Sequence, residues 1–149
     1  VQQPSLHLAC NQHEFHCRDR MDPYRPFPRN CLFYYRIQFE YLVKTLEILF
    51  NKLDDKERDR VRVIIVSKEN TSGFENILFE KQFIPFINDY RLLSLLYQAT
   101  DVFVNSSIED AGPMMVSEAL ACGTPVVGFD MGVVNNMVIS GYNGYKAKY

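Results

Sequence analysis

From Cys31 onward, apolar residues fall into short runs and periodic stripes that alternate along the chain. CLFYY (31–35) is short and apolar, as a buried strand would be. Phe39, Leu42, Val43, Leu46, Leu49, Phe50 and Leu53 follow at spacings of three and four, which predicts one helix of about 15 residues. Glu40 and Lys44 form an i,i+4 pair on its polar side. DDKERDR (54–60) reads as a charged connection, and VRVIIV (61–66) as a β-branched strand buried in a parallel sheet. The stretch 67–80 has no period, contains Ser-Gly and reads as a loop. KQFIPFI (81–87) predicts a strand that Pro85 confines to an edge or an end. Asn88 or Asp89 can cap the helix YRLLSLLYQA that follows. DVFVN (101–105) is a strand, and PMMVSEALAC a helix with Pro113 in its first turn and Gly123 as its left-handed terminator. TPVVGF (124–129) is a further strand. The tail GYNGYKAKY makes an Asn143-Gly144 turn and a short extended piece.

This alternation predicts an α/β class: a Rossmann-like, mostly parallel sheet with helices on both faces and right-handed crossovers. Ligands in such sheets bind beyond the carboxyl ends of the strands, which directs attention to the loop after DVFVN. Residues 1–30 do not share the pattern. They hold four of the seven prolines and all three histidines, without a period of two or 3.6 residues. They read as an irregular N-terminal arm ahead of one domain, 31–149.

Composition narrows the function classes. At 47% hydrophobic and 23% charged, the chain is ordinary globular material able to bury a core. A net charge of −2 and no basic–aromatic interleaving argue against nucleic-acid binding. No apolar run approaches the ~20 residues that span a bilayer, and no signal pattern opens the chain, so a cytoplasmic location is expected. The four cysteines, Cys10, Cys17, Cys31 and Cys122, are expected to be reduced, Cys122 as a buried thiol. Cys10, His13, His16 and Cys17 lie close together, but their spacing is not a standard pair of zinc knuckles, and no metal site is expected.

The chemistry-bearing stretch is SSIEDAGPMMVSEALACGTPVV, Ser106 to Val127. Asp110 in the loop and Glu118 about one and a half turns inside the helix are separated by seven residues. Gly112 lets the backbone approach a ligand, and the free amides from Gly112 to Met115 at the helix start form an anion site. Carboxylates flanking such a cradle suit a phosphorylated polyol: amides take the diphosphate, carboxylates accept from vicinal hydroxyls. Acidic residues near helix starts are also common for capping and dipole reasons, so the spacing alone is a weak signal. Met114 and Met115 read as core side chains on the apolar helix.

The wider wording is more specific. EALACGTPVVGFDMG, followed by NNMVISGYNGYKAK, resembles the C-terminal domain of GT-B glycosyltransferases, in particular the retaining family called family 4 or group 1. The resemblance runs clearly from about Leu92 to the C-terminus and more weakly back to about Arg36. It implies retaining transfer of a sugar from a nucleotide sugar to an acceptor hydroxyl, of hexosyltransferase type, with no required metal and no cofactor beyond the donor. Glu118 matches the family's second acidic position, and Asp110 the first, with Glu109 a near alternative. By resemblance Asp110 holds sugar hydroxyls and Glu118 ribose hydroxyls, as the catalytic pair. Glu109, Ala111, Gly112, Pro113 and Met114 line the donor, and Arg36 neutralises its diphosphate. Surface polysaccharide or glycolipid assembly in a bacterium is the family-level setting.

Four departures qualify that expectation. Ile37 and Gln38 stand where the family carries lysine and glycine after its first basic residue, leaving Arg36 as the one candidate cation, or as an ordinary solvated charge. Asn136 replaces the usual glutamate of an E-I-V-like piece. The N-terminal acceptor domain, the other wall of the cleft and a route for peripheral membrane association, is expected to be missing, and the C-terminal end is expected to be truncated. Residues 1–30 match nothing in the family, consistent with a fragment whose upstream text was lost or read out of frame. The expected function is therefore donor recognition, with little or no turnover by this chain alone. One alternative is a non-catalytic glycosyltransferase remnant. A dinucleotide-dependent oxidoreductase is disfavoured, because no G-x-G-x-x-G follows the first strand.

Overall fold

The computed structural model describes residues 30–34, 39–67, 73–108 and 114–149. Residues 1–29 of the irregular arm, including Cys10, His13, His16 and Cys17, lie outside the described residues, as do Arg36, Glu109, Asp110, Ala111, Gly112 and Pro113, whereas Asn30, read as the end of the arm, opens the first strand.

The described chain runs β1 (Asn30–Tyr34), α1 (Phe39–Lys52), α2 (Asp55–Arg58), β2 (Arg62–Ser67), a 3-10 turn (Phe74–Asn76), β3 (Glu80–Pro85) and α3 (Tyr90–Ala99). It continues with β4 (Val102–Asn105), α4 (Met114–Ala121), β5 (Val126–Phe129), α5 (Gly132–Met137) and β6 (Gly144–Ala147). The six strands form one sheet in the order β3-β2-β1-β4-β5-β6, and every pairing is parallel. This is the 3-2-1-4-5-6 order of the doubly wound Rossmann fold, with its topological switch between β1 and β4.

Alternation along each strand sends neighbouring residues to opposite faces. Cys31, Val63 and Ile65 face α1 with Leu42, Leu46 and Leu53, and Phe74, Ile77 and Phe79 complete that core. Leu32, Ile64, Val66, Phe103 and Val126 face the other way, onto Leu93 and Tyr97 of α3, Val116 and Ala119 of α4, and Val134 of α5. Each layer of helices thus has its own core, with the sheet between them.

Local chemistry explains most element ends. Asp89, of the two candidates, caps α3, its side chain accepting from Arg91 N at 2.8 Å. Gly123, at φ 71°, ends α4 in the left-handed region, as expected. Pro85 closes β3, an edge strand. Asn143 Oδ1 accepts from Ile139 N at 2.7 Å and its Nδ2 donates to Met137 O at 3.0 Å, closing the turn before β6.

Three local features differ from the sequence reading. The charged connection contains α2, opened by a capping box in which Asp54 Oδ1 accepts from Glu57 N and Glu57 Oε2 accepts from Asp54 N. The unassigned loop contains Phe74, Ile77 and Phe79, all buried against the α1 face. Residues 132–137, where the sequence reading assigns no element beyond the E-I-V-like piece at Asn136, form α5, where Asn136 is exposed.

The cysteine expectation is corrected at one position: Cys122 is buried as predicted but is disulfide-bonded. Cys31 is a free, buried thiol. Burial, with Asp101 nearby, pushes its pKa up to about 12, so it stays protonated and unreactive. Among the described residues, no helix is long and apolar enough to cross a membrane, and no group of three or more His, Cys, Asp or Glu could hold a metal ion.

Candidate functional site at the topological switch

The carboxyl ends of β1 and β4 meet at the switch point, where the first strand pairs with the fourth. The chain leaving β1 enters residues 35–38, which include Arg36, and the chain leaving β4 enters the acidic loop that leads to α4. Both segments singled out in the sequence therefore depart from the same two strand ends.

Two predicted site residues are described, and both lie on α4. Met114 is the first described residue of the helix, in the turn where backbone amides have no intrahelical acceptor. Its side chain is 70% exposed, which corrects the reading of Met114 as a core residue, whereas Met115 does pack against the core. Glu118 lies about one turn further on and is half-buried against α3. Its Oε2 accepts a hydrogen bond from the Tyr97 hydroxyl at 3.1 Å. Desolvation raises the Glu118 pKa above the ordinary carboxylate range, and the Tyr97 hydrogen bond opposes that rise.

Three further features lie at or past the carboxyl ends of β4, β5 and β6. At the end of β4, buried Asn105 turns its Oδ1 toward Ser107 N, at 3.4 Å. Ser107 Oγ is enclosed and has no hydrogen-bond partner among the described residues. An enclosed hydroxyl left unpaired costs about 1–3 kcal/mol, so this one is a donor available at the carboxyl end of β4. Tyr41 of α1, Phe129 at the end of β5 and Tyr149 pack edge to face, with centroids 5.6–6.1 Å apart. The Tyr41 and Tyr149 hydroxyls are 3.0 Å apart.

Sequence reasoning missed Tyr97, Asn105, Ser107 and this aromatic group. Tyr97 did carry a signal, because it repeats Leu93 at i+4 on the apolar stripe of α3 and bears a hydroxyl that burial obliges to find a partner. The aromatic group joins residues 108 apart in sequence, and no local pattern announces it.

A parallel 3-2-1-4-5-6 sheet with helices on both faces is a Rossmann-like domain, the architecture of each half of a GT-B glycosyltransferase. Residues 28–148 match the family described as Glycosyl transferases group 1, and the chain belongs to that family. Among curated proteins, none matches this sequence significantly. Solved structures with the same fold include OtsA in its apo form, with a TM-score of 0.65 at 11% identity over 95% of this chain and 38% of that one. A sucrose-phosphate synthase from Thermosynechococcus elongatus gives a TM-score of 0.62 at 20% identity, over 89% of this chain and 35% of that one. A structure described as trehalose-6-phosphate from E. coli bound with UDP-2-fluoro glucose gives 0.64 at 10% identity, over 95% and 39%. This chain therefore spans well under half the length of each of these structures.

Proposed function

We propose that this chain is the donor-binding half of a retaining glycosyltransferase and binds a nucleotide sugar at the β1–β4 switch. The observation that carries the reading is Glu118, half-buried on the helix that follows β4 with one carboxylate oxygen accepting from Tyr97, at the position that by resemblance matches the second of the family's acidic pair. In this reading Glu118 accepts from ribose hydroxyls and Asp110 from sugar hydroxyls, with Glu109 its near alternative. Amides of Ala111, Gly112, Pro113's neighbours and Met114 face the diphosphate, and Arg36 balances its charge. Such a site stabilises a diphosphate leaving group while positive charge builds on the anomeric carbon, without a metal. One structure of the same fold is described as bound with UDP-2-fluoro glucose, a nucleotide sugar.

Hexosyl transfer requires an acceptor held against the donor and water kept out, both tasks for a second wall of the cleft. Turnover by this chain alone is expected to be negligible. A setting in bacterial polysaccharide or glycolipid assembly, in the cytoplasm and with peripheral membrane contact through an acceptor domain, belongs to the same proposal.

The test is calorimetric titration of the chain with UDP, GDP and ADP. Saturable binding of one nucleotide, weakened at least tenfold in Asp110→Ala and in Glu118→Ala, is the expected result. No binding of any of the three favours a non-catalytic remnant, a reading motivated by Ile37 and Gln38 where the family carries lysine and glycine.

A further inference from the structure

Tyr97 is fully buried on α3, and it is held at three points. Its carbonyl accepts from Thr100 N at 3.1 Å, from Thr100 Oγ1 at 2.8 Å and from Thr124 Oγ1 at 2.5 Å. Both threonines are themselves fully buried, and Thr124 immediately follows the left-handed Gly123 that ends α4. The Tyr97 ring stands edge-on to Phe103 of β4, with centroids 5.9 Å apart and planes at 90°. Its hydroxyl meets Glu118 Oε2. One residue thus ties together α3, the strand that leads into the acidic loop, and both the middle and the end of α4.

Helices that connect parallel strands run antiparallel to them, so α3 and α4 begin at the carboxyl end of the sheet. Side chains lean toward the start of their own helix, so Tyr97 and Glu118 both lean toward the switch-point end. A glutamate has long rotamer freedom, and a ligand must freeze it on binding unless the protein has already done so. Tyr97 supplies that restraint through a single carboxylate oxygen. Among the described residues, it is the one group hydrogen-bonded to the carboxylate.

We propose that Tyr97 is a positioning residue of the donor site: its buried hydroxyl fixes Glu118 by Oε2 and leaves Oε1 to accept from a vicinal diol of a nucleotide. This rests on the donor-site reading given above. Tyr97 contacts no substrate and acts through Glu118. The neighbouring threonines serve the same end, because they fix the backbone from which the phenol projects. The hydroxyl also holds the carboxylate in its charged, accepting form against the desolvation that favours protonation.

The test is a double-mutant cycle on the full chain, read by nucleoside diphosphate titration and by the 13C-detected titration of the Glu118 carboxyl. Tyr97→Phe keeps the ring and its contact with Phe103, and circular dichroism confirms that the fold is retained. In the wild-type background Tyr97→Phe is expected to weaken binding of the preferred nucleotide about five- to tenfold, within the net scale of one ordinary intramolecular hydrogen bond. In the Glu118→Ala background it is expected to change nothing further, and the Glu118 titration midpoint of Tyr97→Phe alone is expected to move up. Equal losses in both backgrounds, or an unchanged midpoint, overturn the inference and leave Tyr97 a packing residue. A wild-type chain that binds nucleotide and a Tyr97→Phe variant that binds equally well overturn the inference alone. A wild-type chain that binds none of the three nucleotides overturns the donor-site reading, and the inference with it.

Discussion

Glu118, the recognition residue of the proposed donor site, works against the stability of its own host. Its carboxylate sits where α3 and α4 exclude part of its water, and its pKa is raised, desolvation being the main cause. A carboxyl whose folded pKa exceeds its unfolded value adds stability that is fully present below the unfolded pKa and lost as pH rises through the folded pKa. At neutral pH, therefore, the charged side chain lowers the stability of the ligand-free protein. Glu118→Gln is expected to raise the melting temperature at pH 7. That gain should shrink as pH falls below the carboxylate range, where the wild-type side chain is protonated as well. The same substitution should weaken nucleotide binding, since an amide accepts less strongly than a carboxylate. Melting curves from pH 4 to pH 8 check the first effect and titration the second; a melting temperature that Glu118→Gln lowers at pH 7 contradicts the desolvation argument. The sequence showed Glu118 through its place in a motif, but it did not show Tyr97. The two are 21 residues apart, and only the packing of α3 on α4 brings them together.

At the scale of elements, strands and helices with a clear period were legible to within a residue or two. Tyr90–Ala99 coincides with the predicted helix, because Asp89 caps it and Leu93 and Tyr97 mark its buried face. The misses have a common origin. Phe74, Ile77 and Phe79 are single apolar residues in an aperiodic stretch, so their burial depends on the α1 face they meet rather than on any repeat. α5 is too short for a period to be recognisable, and α2 depends on the Asp54–Glu57 capping box more than on a buried face, since none of its residues is buried. The last strand has a different constraint, which the sequence recorded only as a turn glycine. A Cβ at Gly144 would run into the backbone carbonyl of Val126 on β5, so β6 can approach its neighbour only with glycine there. Gly144→Ala is expected to destabilise the chain by about 1–3 kcal/mol, the usual scale of overpacking, and to lower the urea midpoint accordingly. An unchanged midpoint would mean that β6 shifts along β5 without loss.

At the largest scale, the described residues form a parallel sheet whose two faces serve different neighbours. Tyr97, Val116, Ala119 and Val134 form the core beneath α3, α4 and α5, whereas Leu42, Leu46 and Ile65 form the core under α1. Mixed helix and strand periods made this architecture readable from the sequence. The position of the switch between β1 and β4 was not readable, since strand order is a tertiary choice that alternation alone leaves open. Ile65→Val, on the α1 side, is expected to cost about 0.5–1.5 kcal/mol of stability. It should leave nucleotide affinity unchanged, and chemical denaturation alongside titration checks both halves of that statement.

The two cores also bear on how such a chain changes over time. Residues separated by a sheet and sharing no partners lose stability nearly additively, so a loss on one side does not reshape the other. The face under α1 can drift in sequence, or be redesigned for stability, while the face under α3 and α4 keeps its geometry. Wear on one face and change on the other are then separate events, one of which can proceed far before the other begins.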